Sequence, residues 1–243
     1  MKKMTNRLGS VAAWCLLLFT LVSAVDATRS LADENDNAAA RAYNGAAALQ
    51  NAGLHVRAAQ KWTEFISAHS KDERIERAHF YLGICQLRSE KFPQAAETFK
   101  KVLNTWPKFA QADVAQYNLA LARYEQAIAS NSEDQFRQAA GEFSTVAAKF
   151  PKSDQADDAL YFQGDCLFRS GDVAAALPVY QKLIDQYPNS GQLARAYYDL
   201  GIGQQELEKH AEAIKTFQAF LSKSEFATDE LTPEIRLRFA ICL

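Results

Sequence analysis

From residue 38 onward the apolar positions of this chain recur at helical rather than strand spacing. Phe80, Gly83, Ile84 and Leu87 stand at i, i+3, i+4 and i+7, which is one face of an amphipathic helix. After Ser89-Glu90-Lys91 a second run follows, with Ala95, Phe99, Val102 and Leu103. The pattern predicts two helices joined by a short turn. Pro93 falls in the first turn of the second helix, where a missing N–H costs least, and Pro107 ends it. The same phrase returns along the chain. A small residue recurs at Ala46, Gly83, Ala120, Gly164 and Gly201. Twelve residues later, in four of the five copies, comes an alanine: Ala58, Ala95, Ala176 and Ala213. Four beyond that stands a large aromatic: Trp62, Phe99, Tyr180 and Phe217. The steps from Gly164 to Gly201 and from Pro151 to Pro188 are both 37 residues. A fixed period of about 20–50 residues marks a stacked repeat array. Small residues at both sites let two backbones approach. The aromatic is expected to fill the wedge between one helix pair and the next repeat.

Two copies depart from the phrase. In the third, Ala120 to Ala139 is 19 residues, seven more than elsewhere. The extra stretch, 127–134, is expected to lengthen the inter-helix loop. Ser132 in it, followed by Gln135, has the form of a capping box. In the fourth copy Pro178 lies deeper in its helix than Pro93 does, which predicts a kink or a late helix start. From Arg236 to Leu243 the pattern opens a sixth copy. The array of 38–243 therefore reads as five repeats plus the start of a sixth, with the chain expected to continue beyond it. An enzyme or transport subunit with this array as its docking region is the alternative that such a continuation would carry.

The first 27 residues follow a different rule. Lys2, Lys3 and Arg7 precede an apolar run from Val11 to Val25, and Val22-Ser23-Ala24 and Val25-Asp26-Ala27 fit a small-x-small cleavage site. This predicts a secretory signal peptide over 1–27, with membrane anchoring through residues 8–25 as the alternative. An anchored adaptor facing the cytoplasm is a third reading. Residues 28–37 are polar and unpatterned, a flexible spacer. Net charge is −2 with no Lys/Arg block, so nucleic acid is not an expected partner.

Export would permit disulfides, but the cysteine positions argue against them. Cys15 lies in the signal. Cys85, Cys166 and Cys242 occupy equivalent places in alternate copies. Thiols two repeats apart are separated by about 20 Å, beyond bonding reach, so they are predicted to be small core residues. His55, His69, His79 and His210 fall at unrelated positions and show no metal-ligand spacing. No nucleophile elbow, phosphate loop or dinucleotide glycine pattern is present. Gly201-Ile202-Gly203 lacks a third glycine and sits inside a helical pattern. The sequence therefore carries no expectation of an enzyme, a cofactor, a metal or a small-molecule substrate.

The order of small residue, alanine, aromatic and, eight later, proline (Pro107, Pro151, Pro188) resembles the tetratricopeptide repeat. The phrase Phe150-Pro151-Lys152-Ser153 through Gly164, echoed by Tyr187-Pro188-Asn189-Ser190 through Gly201, is similar to repeats of bacterial envelope proteins. Those are the Tol–Pal-associated coordinator of cell constriction and the outer-membrane assembly lipoprotein. The chain departs from them in having neither N-terminal coiled-coil heptads nor a lipobox. The resemblance implies an all-α, right-handed superhelix of antiparallel helix pairs. It also implies that first helices line a concave face binding proteins or peptides of the cell envelope, in assembly or division. An aromatic stands three residues before each small residue: Tyr43, Phe80, Tyr117, Tyr161 and Tyr198. Around them lie Arg77, Arg88, Asp158, Asp165, Arg169 and Arg195. These eleven residues are the candidate partner-binding groove. The competing reading places the aromatics in the core, and tyrosine in four of five copies favours a ring with its hydroxyl at a polar surface.

Overall fold

Each helix pair is closed by one recurring backbone turn. Seven residues after the small residue of four copies stands a left-handed residue: Gly53 (φ 75), Glu90 (φ 58), Gly171 (φ 81) and Glu208 (φ 58). In the third copy Asn131 (φ 48) takes that role. The next residue's N–H reaches back five positions, as Lys91 does to the Gln86 carbonyl at 2.9 Å and Lys209 to the Gln204 carbonyl at 2.8 Å. The left-handed residue reaches back three, as Glu90 does to Leu87 and Gly171 to Phe168. This is the Schellman ending, which satisfies carbonyls left open by the first helix.

The computed structural model describes residues 36–243, so the predicted signal and most of the predicted spacer lie outside the described residues. Asp36 and Asn37, expected in the spacer, are helical, because the alanines at 38–40 carry helix propensity back over them. Eleven α-helices and no strands are present among the described residues. They form two compact units divided after Ile75. The first unit contains the pair α1 (36–51) and α2 (His55–Ala68). Ala46, Ala58 and Trp62 are fully buried there, and Trp62 Nε1 donates to Gln50 Oε1 at 2.9 Å.

The second unit stacks α3 (Ile75–Arg88) with α4 (Phe92–Thr105) and α5 (Ala112–Ser130) with α6 (Glu133–Lys149). Then α7 (Ala156–Arg169) pairs with α8 (Val173–Gln186) and α9 (Leu193–Glu206) with α10 (His210–Leu221), before α11 (Thr232–Cys242). Successive helices pack on one another. Buried clusters run from one repeat into the next, so the core is a series rather than one centre. This is the all-α stack of antiparallel pairs typical of a tetratricopeptide superhelix.

The small residue and the aromatic make direct contact. A Cβ added to Gly83 would lie 2.8 Å from Phe99, and one on Gly164 would lie 2.5 Å from Tyr180. One on Gly201 would collide with Phe217. The aromatic is thus seated on the glycine of its own pair, rather than only wedged toward the next repeat. Gly203 serves the opposite side of α9, where a Cβ would meet Leu177 at 2.7 Å.

Three expectations change. The third copy's insert lengthens helices, not the loop. α5 has 19 residues and α6 has 17, against 14 in α3 and α4, and only Asn131 and Ser132 separate them. Helix is the cheaper place for added residues, since it satisfies their backbone internally. The capping box is half made. Ser132 accepts from the Gln135 N–H at 3.4 Å, while the Gln135 side chain accepts from Ser130 Oγ and the Ser132 N–H goes to the Ala127 carbonyl. Pro178 lies inside α8, which begins at Val173, so no late start occurs. Between repeats the Ser153 and Ser190 of the repeated phrase are turn formers, accepting from the N–H groups of Gln155 and Gln192. No disulfide joins Cys85, Cys166 and Cys242.

Left-handed backbone costs a non-glycine residue about 1 kcal/mol. Glu90→Gly and Glu208→Gly are therefore each expected to stabilise the protein by up to about 1 kcal/mol in urea titrations. No gain at either site would remove strain from the account of the turn. Gly164→Leu is expected to cost about 1–3 kcal/mol by overpacking against Tyr180, read as a fall in melting temperature.

Candidate functional site

The first helices of the second unit place tyrosines, carboxylates and guanidinium groups on neighbouring turns. Tyr161 on α7 is half-buried, its ring 6.2 Å from Tyr180. Its hydroxyl lies in the field of the Asp199 carboxylate on α9, in the next repeat. Tyr198 is placed likewise against Arg238 on α11. In both cases the tyrosine three before one small residue meets the side chain two before the next copy's small residue. Tyr124 on α5 donates to Asp165 Oδ2 at 2.8 Å, and Arg169 Nε holds the same carboxylate at 2.9 Å. The Arg169 guanidinium lies 5.8 Å from the centre of the Phe136 ring.

Tyr161, Asp165, Arg169 and Arg195 are thus brought into one electrostatic neighbourhood, joined by Asp199 and Tyr124. Tyr117 and Asp158 form a second group. Tyr117 is half-buried, edge-on to Phe143 at 5.9 Å, and the Asp158 carboxylate accepts from Gln192 Nε2 at 2.8 Å. Arg77 and Arg88 are exposed on α3, and Arg195 is exposed on α9. Tyr43, in the first unit, packs edge-on against Trp62 at 4.8 Å with the Arg74 guanidinium 5.0 Å from its ring centre. Arg74 is fixed there by Asp72 at 2.7 Å.

Phe80 does not belong to the site. It is 3% exposed and packs on Phe99 and Phe109 at 6.0 and 5.3 Å. Without a hydroxyl it has no reason to stay at a polar surface, so the core reading holds at this one copy. The sequence reading missed Tyr124, Gln192, Asp199 and Arg238. The register that flagged each tyrosine would have found Asp199 and Arg238, since each lies two residues before the next small residue. Nothing in the sequence pointed to Tyr124, which acts across to α7.

Burial raises the hydroxyl pKa of Tyr117, Tyr124 and Tyr161, and nearby carboxylates add to the effect. These hydroxyls stay protonated donors. Burial also pushes the Asp199 carboxyl up to about 6, with the nearby Tyr161 hydroxyl, Arg195 and Arg169 opposing the rise and Asp165 adding to it. His79 is held neutral, down to about 4, by burial and then by Lys101. Among the described residues no group of three His, Cys, Asp or Glu side chains could hold a metal. No helix among them is long and apolar enough to cross a membrane.

A helical-repeat scaffold presenting a polar, tyrosine-bearing face is the class these elements define. Tetratricopeptide-repeat models match residues 133–191, and in a second form 77–108 and 195–224. Over those residues the chain carries tetratricopeptide repeats. Solved structures agree on the fold. A tetratricopeptide repeat protein from Parabacteroides merdae is 17% identical, covering 84% of this chain and 73% of its own length, with TM-score 0.64. MamA from Desulfovibrio magneticus is 18% identical over 79% of this chain and 97% of its own, TM-score 0.60. YrrB, described as a TPR protein with an unusual peptide-binding site, is 17% identical over 80% of this chain and 89% of its own, TM-score 0.59. No curated protein sequence matches.

The raised Asp199 pKa gives a pH dependence of fixed sign. The folded state binds this proton more tightly than the unfolded chain, whose carboxyl titrates near 3.8. The resulting stability is full below about 3.8 and is lost as pH rises through about 6. Asp199→Asn is expected to be relatively more stable at pH 7.5 than at pH 4.5 when each is compared with the unaltered protein. Equal differences at the two pH values would remove Asp199 from the buried layer.

Proposed function

We propose that this protein is an exported scaffold that binds protein partners of the bacterial cell envelope through the face lined by its first helices. The observation that carries this reading is the division of labour on that face. Tyr124 donates its hydroxyl to Asp165 of the following repeat and Tyr161 faces Asp199 of the one after its own, while Arg88 and Arg195 stay exposed. Rigid, internally braced rings beside unburied cations lose little entropy when a peptide settles on them. Aromatic and arginine side chains are the types that dominate binding energy. The peptide-binding site described for YrrB, a protein of the same fold, supports a peptide or protein partner here. The basic start and apolar run of residues 2–25 support export, and the similarity of the repeated Phe-Pro-Lys-Ser phrase to envelope repeats supports that compartment.

Arg195→Ala with Arg88→Ala is expected to reduce the partners recovered from envelope extracts by about tenfold, the scale of one lost charged anchor. The exposed arginines leave helicity unchanged when removed. Recovery equal to that of the unaltered protein would move the binding face elsewhere. N-terminal sequencing of the mature protein tests export separately: a new terminus near residue 25–28 is expected, and an intact Met1 in the membrane fraction would replace export with anchoring.

A further inference from the structure

Behind the first-helix face the second unit has another concavity. A cleft of about 450 Å³ lies between the 106–111 and 150–155 turns, lined by Phe109, Asp113, Lys152 and their neighbours. A second, about 320 Å³, lies between α4 and α6 with α5 as its floor. Both are lined by Ala112, Lys149 and Phe150, so they are two parts of one groove. Its combined volume is in the range of ordinary ligand sites, about 300–1,000 Å³.

The groove has an apolar floor and a cationic rim. Leu103, Pro107, Ala112 and Phe150 supply the floor. Lys100, Lys149 and Lys152 are exposed along it, and none of the three is in an ion pair among the described residues. Its two carboxylates are already engaged within the protein. Glu142 accepts from Gln116 Nε2 at 2.7 Å, and Asp113 accepts from Ser153 Oγ at 2.8 Å. Both carboxylates keep their charge, so three ammonium groups against two carboxylates leave the rim net cationic above hydrophobic surface.

We propose that this groove binds a short extended segment of another protein in which acidic side chains alternate with apolar ones. Alternation sends successive side chains to opposite sides of an extended chain, so carboxylates reach the lysines while apolar groups rest on Leu103 and Phe150. Nucleic acid fits less well. A single-strand binder needs a row of exposed aromatic rings for stacking, and here Phe109 is buried and Phe150 is half-buried. The surface lies on the second-helix side and is independent of the tyrosine-bearing face.

The test is fluorescence anisotropy with a short labelled peptide alternating glutamate with leucine and phenylalanine. Its lysine counterpart and a single-stranded oligonucleotide serve as competitors. The full protein is expected to bind the glutamate peptide, more weakly as salt rises. Lys100→Glu with Lys149→Glu is expected to lower affinity at least about tenfold with an unchanged melting temperature. Arg195→Ala with Arg88→Ala is expected to leave this binding intact, so failure here is distinct from failure of the first-helix face. The proposal is overturned if the glutamate peptide does not bind, if the lysine peptide or oligonucleotide competes equally, or if reversing the two lysines changes nothing.

Discussion

The contact on which the structure depends is an aromatic ring laid on a residue without a side chain. Tyr180 on Gly164, Phe99 on Gly83 and Phe217 on Gly201 bring the two helices of a pair closer than a larger residue would allow. The ring buries a large apolar area at that crossing, and the glycine's helix cost of about 1 kcal/mol is small beside it. Because ring and glycine come from the two helices of one pair, each repeat sets its own internal geometry. The third copy shows what the contact tolerates. Seven added residues lengthen α5 and α6 at their joined ends, yet Ala120 and Phe143 remain in the same buried cluster. Growth away from the contact leaves it intact.

Between repeats a second, polar connection operates. Tyr124 donates to Asp165, Tyr161 faces Asp199 and Tyr198 faces Arg238, each pair crossing from one first helix to the next. Hydrophobic clusters already join neighbouring repeats, so these polar pairs bear on register more than on stability. They also hold the tyrosine rings in place on the face proposed to meet a partner. The raised Asp199 pKa is the cost of drawing a carboxylate into this layer. The groove on the second-helix side offers a different chemistry, a net cationic rim whose Lys100, Lys149 and Lys152 are in no ion pair among the described residues. The two faces therefore suit different ligands.

Much of this was legible in the sequence because the repeat states it several times. The period, the helix pairs, the buried small residues, the burial of Cys85 and Cys166 and the prolines at helix ends all follow from spacing, which is local and periodic, whereas Cys242, expected in the core, is only partly buried. Ser132 as a helix cap was legible for the same reason. The candidate site was legible in outline only. Tyr117, Tyr161 and Tyr198 proved half-buried with polar or aromatic neighbours, whereas Phe80 obeyed the core rule, and the residues that brace the tyrosines were not foreseen.

What the sequence determined by itself is what repeats: which residues pair two helices, where each pair turns and where it stops. Tertiary structure alone decided matters lying between copies or between alternatives of similar local energy. Whether seven extra residues became loop or helix depended on the neighbours available to α5 and α6. The meeting of Tyr124 with Asp165 across 41 residues depended on the offset between adjacent first helices, which no single copy encodes. The lysine-rimmed groove arises where α4 and α6 flank α5. Its cations are scattered in sequence, and only the stacking of repeats collects them.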